Sequence, residues 1–298
     1  MKCKLCPRFC GADRENGKIG YCGAGGQLKV ARASLHMWEE PPISGDKGSG
    51  TVFFSHCPLK CVYCQNREIS SGGDGLEISV ERLCEIFFEL AKKGAHNINL
   101  VSPTQYTNEI VSAVKMAKAK GFDLPFVWNT SGYETVETVK MLDGIVDIYL
   151  TDFKYMSGDV AKRYSNAEDY PTVAKNALCE MMRQHPAPIF SGELLKKGVI
   201  VRHLVLPGNI SDSKDVVDAF ADICGKNAFL SLMRQYTPIG DCIFPEIANP
   251  LCESDYNEVV NYALMCGIKN IFTQEKESVS ESFIPAFDYE GVLKDDIK

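Results

Sequence analysis

Three cysteines at the spacing Cys57-x3-Cys61-x2-Cys64 are the side chains whose types and positions point most directly to chemistry. They follow residues 51–54, an apolar run that predicts a strand, and a loop after a strand can direct several thiolates at one point. Thiolates are the usual protein ligands of iron–sulfur clusters. A [4Fe-4S] cluster held by only three thiolates keeps one iron open to a small ligand. The motif therefore predicts a reactive cluster, with buried or zinc-binding thiols as the alternative.

A second set of cysteines lies near the N-terminus, at Cys3, Cys6, Cys10 and Cys22. Glycines surround this set, and they allow a short chain to bend tightly around a metal. Four thiolates in such a knuckle suit a closed, tetrahedral zinc site. They also suit a second [4Fe-4S] cluster. Zinc is the favoured interpretation because the knuckle is compact, and four cysteines without a ligand are the remaining alternative.

Composition narrows the class of protein. The 298 residues suit one α/β barrel or two small domains. No apolar run approaches the roughly 18 residues that cross a bilayer, and no apolar signal region follows the N-terminus, which predicts a cytoplasmic location without a membrane partner. In such a compartment the 13 cysteines favour metal binding over disulfides. The net charge of −7 argues against general nucleic-acid binding.

Strand and helix patterns alternate after the cysteine loop. The predicted strands are 51–54, 97–101, 124–130, 146–151, 198–206, 228–233 and 270–274, and the predicted helices are 79–93, 108–118, 134–142, 166–184, 213–224 and 254–266. This alternation predicts an α/β fold with parallel strands in a partial (β/α)6 barrel. We expect a metal-binding knuckle and strap at 1–47, the barrel at 48–240, and a C-terminal extension covering the barrel at 241–298.

Polar residues concentrate where the predicted strands end. In barrels of parallel strands, the chemistry lies at the C-terminal ends of the strands. The residues at or near those ends are Ser102, Thr104, Gln105, Asn129, Ser131, Asp152, Lys154, Arg202, His203, Gln235 and Tyr236. In the preceding strap, His36, Glu39 and Glu40 are further candidates for an active-site lining. A solvated strap with Trp38 packed is the alternative, as is a solvated ion pair for Asp152 and Lys154.

The cysteine spacing, with Tyr63 directly before the third cysteine, resembles the radical S-adenosylmethionine (SAM) superfamily. The resemblance implies that Cys57, Cys61 and Cys64 bind the cluster and that Tyr63 packs against the cluster or the adenine. It implies that SAM binds the open iron and is cleaved reductively to methionine and a 5′-deoxyadenosyl radical, which abstracts hydrogen from a substrate. It also implies a flavodoxin or ferredoxin as electron donor.

Asp152-x-Lys154 and the run 201–209 resemble pyruvate formate-lyase-activating enzymes more narrowly. The resemblance implies that Asp152 and Lys154 help hold the methionyl part of SAM, that Arg202 contacts the SAM carboxylate or the substrate, and that Asn129 contacts the ribose. The Gly-Gly-Glu that grips the SAM amino group in that family is absent here. Thr104 or Ser102 is the expected replacement.

Other stretches resemble a branch of activating-enzyme-like proteins that includes queuine lyases. They are Cys3-x2-Cys6-Pro7-Arg8-x-Cys10, Trp38-Glu39-Glu40-Pro41, the run 48–54, Gln235-Tyr236-x-Pro238 and Phe283-Ile284-Pro285-x-Phe287-Asp288. The favoured expectation is a lyase that cuts the C–N bond of a small molecule such as queuine. The groups available to bind such a base are Glu39, Glu40, Gln105, Tyr106, Gln235, Tyr236 and Glu246. A glycyl-radical activase, which needs an open groove, and a non-enzymatic metal scaffold are the alternatives.

Overall fold

The computed structural model describes residues 2–238, 244–274 and 285–294, so that Cys242, Phe283 and Ile284 lie outside the described residues. The strands are β1 (Leu28–His36), β2 (Ser49–Phe54), β3 (Leu76–Ile78), β4 (Ile98–Val101), β5 (Phe126–Thr130), β6 (Ile148–Asp152), β7 (Ile189–Ser191), β8 (Leu194–Leu204), β9 (Phe229–Met233) and β10 (Ile271–Thr273). The helices are α1 (Pro41–Ser44), α2 (Arg67–Ser70), α3 (Val80–Lys92), α4 (Thr107–Ala119), α5 (Val136–Lys140), α6 (Gly158–Ser165), α7 (Tyr170–Gln184), α8 (Ile210–Cys224) and α9 (Glu253–Met265).

All strands belong to one sheet, with the order β10-β9-β8-β6-β5-β4-β2-β1-β3 and with β7 paired to β8. The pairs from β2 to β10 along this order are parallel, whereas β1, β3 and β7 run antiparallel to their neighbours. Helices between successive parallel strands provide the crossovers that parallel pairing requires. The expected α/β fold with the parallel strands of a partial barrel is confirmed. All seven predicted strands are present, and β10 is the strand predicted at 270–274.

The strap and one helix differ from the sequence prediction. Residues 28–36, expected in an irregular strap, form β1, which pairs with β2 along most of its length. The predicted helix over 166–184 begins only at Tyr170, and α6 precedes it. Asn166 adopts a left-handed conformation that ends α6, which is why the two helices do not join.

The predicted domain boundaries stay a prediction, and one hydrophobic core includes residues on both sides of the boundary at 47. Val30 of β1 packs in the same core as Val52 and Leu83, across the boundary at 47. The C-terminal segment is hydrogen-bonded to β1, since Ala33 donates its N–H to the carbonyl of Glu290 at 2.8 Å. Within the described part of the chain, no helix is long and apolar enough to cross a membrane.

Candidate active site

The ends of the parallel strands surround a cavity of about 240 Å³. The three cysteines of the C-x3-C-x2-C motif line it, on the loop that follows β2. Predicted site residues from other strands also line it, and these are Asn129, Asp152, Lys154 and Arg202. Parallel strands place their C-terminal ends at one edge of a sheet, which brings together residues as distant in sequence as Cys57 and Arg202, 145 positions apart.

Burial governs the pKa of two of these thiols, Cys57 and Cys64. Burial, followed by the neighbouring Cys61 and Cys64, raises the pKa of Cys57 to about 12. Burial and Cys61 likewise raise the pKa of Cys64. Thiols held this way remain protonated at neutral pH unless a cation replaces the proton, as bound metal does. Three neighbouring thiols suit the chemistry of an iron–sulfur cluster, and their role as its ligands stays a prediction.

Two serines contact these sulfurs. Ser165, the last residue of α6, donates its hydroxyl to Cys61 Sγ at 3.1 Å. Ser70, the last residue of α2, donates to Cys64 Sγ at 3.3 Å. Sequence reasoning missed both serines, since no motif marks a hydroxyl whose partner is set only by tertiary packing. Such hydrogen bonds to cluster sulfurs tune the reduction potential.

Tyr63 lies at the edge of the cavity, inside an aromatic cluster. Its ring meets the rings of Tyr155, Tyr164 and Tyr236 edge-to-face, at centroid distances of 6.4, 6.3 and 6.2 Å. The Tyr155 hydroxyl lies 2.9 Å from Ser165 Oγ, so this cluster also supports the serine that contacts Cys61. Tyr63 is thus held rigidly beside the cysteines, and its predicted packing against a cofactor remains a prediction.

Asp152 is the centre of a buried charge network. Its carboxylate accepts from Lys154 Nζ at 2.7 Å and from Arg202 Nε at 3.0 Å. Burial acts to raise the pKa of Asp152, but the charges of Lys154 and then Arg202 outweigh it and the pKa is lowered. The side chains of Asp152 and Lys154 are 14% and 15% exposed, so the alternative of a solvated ion pair is wrong.

The strap contributes to the same cavity. Glu39 lines it with a side chain that is 9% exposed, and its carboxylate accepts from Arg202 Nη1 at 3.2 Å. The alternative of a solvated strap is therefore wrong at this position. Trp38 also lines the cavity but is 63% exposed, which places its ring at the mouth.

Several predicted residues do not reach the cavity. Thr104 is 2% exposed and donates its hydroxyl to Glu134 Oε1 at 2.9 Å, because the turn that follows β4 directs it into the protein. Ser102 lines the cavity instead.

Of the groups expected to bind a base, Glu39 and Gln235 line the cavity. The others face elsewhere: Glu40, Gln105, Tyr106 and Tyr236 are buried outside the lining, and Glu246 binds Arg163.

The N-terminal knuckle is bonded to the cysteine loop. Arg8 donates from Nε to the carbonyl of Pro58 at 3.0 Å and from Nη2 to that of Ser165 at 2.8 Å. Arg14 donates to the carbonyl of Gln105, whose own amide donates to the carbonyl of His56 at 3.1 Å. The segment before the barrel therefore braces both the start of the cysteine loop and the α6 end that contacts it.

The four N-terminal cysteines lie near one another. Cys10 Sγ and Cys22 Sγ lie 3.4 and 3.5 Å from the position that a Cβ on Gly20 would take. Burial raises the pKa of Cys6 to about 12, with added effects of the other three thiols. Across residues 2–238, 244–274 and 285–294, however, no three or more His, Cys, Asp or Glu side chains are arranged to hold a metal ion. Zinc at this set stays a prediction.

Comparison with known proteins finds a family match over part of the chain. Residues 51–178 match the model of the Radical SAM superfamily. An uncharacterized protein of Methanocaldococcus jannaschii is 32% identical over 247 residues, which cover 79% of this chain and 66% of that protein. The chain therefore spans about two thirds of the length of this relative.

Two solved structures are also similar. A domain of pyruvate-formate lyase-activating enzyme from Bacteroides vulgatus has 13% identity and a TM-score of 0.43, covering 57% of this chain and 92% of that chain. SuiB of Streptococcus suis, bound to the precursor peptide SuiA, has 12% identity and a TM-score of 0.49, covering 74% and 47%. The chain carries a radical SAM domain at residues 51–178.

Proposed function

We propose that this protein cleaves SAM reductively at a [4Fe-4S] cluster held by Cys57, Cys61 and Cys64, and abstracts hydrogen from a small molecule bound in the same cavity. The observation that carries the proposal is that these three thiols and the Asp152 charge network line the same cavity at one edge of the sheet. When bound, the cluster and SAM supply a 5′-deoxyadenosyl radical. The protein itself binds, orients and shields the reactants.

Each charged or polar residue at the cavity has a separate proposed role in binding SAM. Lys154 uses one hydrogen bond on Asp152, which leaves donors for the methionyl carboxylate. Arg202 presents a second cation to the same region, and Asn129 is the proposed ribose contact. Asp152 acts through Lys154 and Arg202, since its carboxylate is engaged by both. Ser102 replaces Thr104 as the proposed contact for the SAM amino group.

The walls of the cavity support a small substrate. His36, Trp38 and Glu39 from the strap and Pro285 from the C-terminal segment line it together with the strand ends. A primary carbon radical attacks most C–H bonds, so a lined pocket that excludes other reactants suits a small molecule better than an open groove does. Queuine is the proposed substrate, with C–N cleavage releasing a 7-deazaguanine amine. Trp38, Glu39 and Gln235 offer a ring, a carboxylate and an amide for such a base.

The test is anaerobic reconstitution and reduction with SAM, followed by chromatography of 5′-deoxyadenosine with and without queuine. We expect queuine to stimulate 5′-deoxyadenosine formation and to yield a new deazapurine. Slow 5′-deoxyadenosine formation that queuine does not change would reject queuine, and stimulation by peptides of a glycyl-radical enzyme would favour the activase alternative. Absence of 5′-deoxyadenosine under every condition would contradict the proposal as a whole.

The remaining cofactor and partner assignments follow from the same proposal. Cys3, Cys6, Cys10 and Cys22 are proposed to hold zinc, with a second cluster as the alternative. The placement of Cys10 and Cys22 beside Gly20 supports a shared ligand. A reduced flavodoxin or ferredoxin is the proposed electron donor, because cleavage of SAM consumes one electron at the cluster.

A further inference from the structure

Glu39 lies before the superfamily match at residues 51–178, yet its side chain reaches the mouth of the barrel. It belongs to the short segment between β1 and α1. Ser44 Oγ accepts from the backbone N–H of Glu39 at 2.9 Å, and α1 begins at Pro41, two residues later. The backbone on the C-terminal side of Glu39 is thus fixed. The strap presents a buried carboxylate to the cavity in one defined position.

The carboxylate of Glu39 contacts three strands. Its Oε1 accepts from Asn99 Nδ2 on β4 at 2.8 Å and from Asn129 Nδ2 on β5 at 3.3 Å. Its Oε2 accepts from Arg202 Nη1 on β8 at 3.2 Å. Burial raises the pKa of Glu39 above its ordinary value, although Arg202 and then Asn99 act to lower it. A buried carboxylate of this kind keeps its charge only through its hydrogen-bond and ion-pair partners, because an unpaired buried charge is costly.

These contacts orient two of the proposed SAM ligands. Asn129 Oδ1 accepts from Arg202 Nη2 at 2.6 Å while its Nδ2 donates to Glu39. A guanidinium only donates and a carboxylate only accepts, so the amide of Asn129 satisfies both neighbours in one orientation. Arg202 is held at Nε by Asp152, at Nη2 by Asn129 and at Nη1 by Glu39.

We propose that Glu39 is a positioning residue for SAM binding, which fixes Arg202 and Asn129 in the orientation that SAM requires and makes the strap part of the SAM site. The inference rests on the proposed function, in which Arg202 and Asn129 face SAM. Glu39 acts through these two side chains.

Glu39→Gln tests this with little change in volume. The amide of glutamine has one accepting oxygen and one donating nitrogen, so it cannot accept from Arg202 and from both asparagines. At least one of these hydrogen bonds is replaced by two donors that face each other. We expect the Kd for SAM to rise about 10- to 100-fold, as for other residues that orient a ligand shell. The measurement is calorimetric titration of SAM into reconstituted, unreduced protein, which requires neither turnover nor an identified substrate.

A second readout separates positioning from damage to the fold. At saturating SAM, the electron paramagnetic resonance spectrum of the reduced Glu39→Gln protein should show the same SAM-dependent change as the wild type, since the cluster ligands are intact. In the double variant with Asn129→Ala, the loss of affinity should be smaller than the sum of the single losses, because both changes release the same constraint.

Glu180→Gln is the matched control. Glu180 lies on α7, is 7% exposed and pairs with Arg183 at 2.8 Å, away from the cavity lining. Its substitution should leave the Kd for SAM within about twofold of the wild type. A Kd within that range for Glu39→Gln, at equal iron content, would overturn the inference, as would strict additivity in the double variant. Failure of the wild type to bind SAM would instead reject the proposed function.

Discussion

Ser165 donates its hydroxyl to Cys61 Sγ at 3.1 Å, although 104 positions separate the two residues. The contact exists because α6 ends at Ser165, directly beside the cysteine loop, and Arg8 holds the Ser165 carbonyl from the other side. Tyr155 supports the same hydroxyl at 2.9 Å. The loop that the superfamily motif defines is therefore shaped by residues from the N-terminal knuckle and from α6.

Ser165→Ala should lower the reduction potential of the cluster. A hydrogen bond to a cluster sulfur stabilises the more negative, reduced state, so its loss makes reduction harder. We expect a shift on the order of 50 mV to more negative values, since about 59 mV corresponds to tenfold for one electron. A redox titration followed by electron paramagnetic resonance measures it. Ser112→Ala, whose hydroxyl bonds the carbonyl of Asn108 on α4, is the control. An unchanged or higher potential in Ser165→Ala would contradict the assigned role.

Arg8→Ala should destabilise the protein and loosen the cysteine loop. The substitution removes hydrogen bonds from a charged donor to the carbonyls of Pro58 and Ser165. We expect a loss of about 2 kcal/mol in the free energy of unfolding and faster removal of iron by a chelator. Urea unfolding and chelation kinetics measure the two effects. Arg183→Ala removes the ion pairs with Asp143 and Glu180, away from the cysteine loop, and should change iron removal little. Equal rates for both variants would refute the bracing role.

Cys6→Ala should remove the metal of the N-terminal knuckle and leave the cluster of the cysteine loop intact. Elemental analysis of the reconstituted protein should show lost zinc and unchanged iron, because Cys6 is one of the four neighbouring knuckle thiols and lines no part of the cavity. Cys266→Ser, directly after α9 and outside the cavity lining, is the control and should retain both metals. Loss of iron in Cys6→Ala would mean that the knuckle holds a second cluster.

His203 should make the protein less stable as the pH falls below 6.5. Burial lowers the pKa of His203 to about 4. Its Nδ1 donates to the carbonyl of Phe153 at 2.8 Å and its Nε2 lies 2.9 Å from Ser213 Oγ, which fixes the neutral ring. The unfolded chain takes up the proton near pH 6.5, so stability is complete above that pH and is lost down to about pH 4.

From pH 7.5 to 5.5, this one group should cost about 1.4 kcal/mol. His203→Gln removes the titration while keeping a donor and an acceptor. Anaerobic urea unfolding at both pH values should show a flatter pH dependence for the variant by that amount. Identical slopes for the wild type and His203→Gln would mean that His203 does not carry the effect.

The sequence predicts the parts of the site that follow from periodicity and strand ends. Alternating strands and helices place Asn129, Asp152 and Arg202 at one edge, and the structure has them there. Thr104 fails because the turn over Thr104–Tyr106 rotates its hydroxyl toward Glu134, and a turn of this kind leaves no periodic signal. β1 is missed because its alanines carry little strand preference and its pairing with β2 decides the conformation.

Other contacts depend wholly on tertiary packing. Glu39 could be selected as a candidate from its strap, but its partners Asn99 and Arg202 lie 60 and 163 positions away. Ser70 and Ser165 occupy ordinary helix ends in sequence, and only the folded chain shows that they contact thiols.

The most direct test of the central claim is the electron paramagnetic resonance spectrum of the reduced, reconstituted protein with and without SAM, in the wild type and in Cys61→Ala. A cluster held by three thiolates has an open iron, so we expect the wild-type signal to change when SAM binds. Cys61→Ala should show no such cluster, while Cys266→Ser should behave as the wild type. A wild-type signal that SAM leaves unchanged, or a SAM-responsive cluster that persists in Cys61→Ala, would contradict the account.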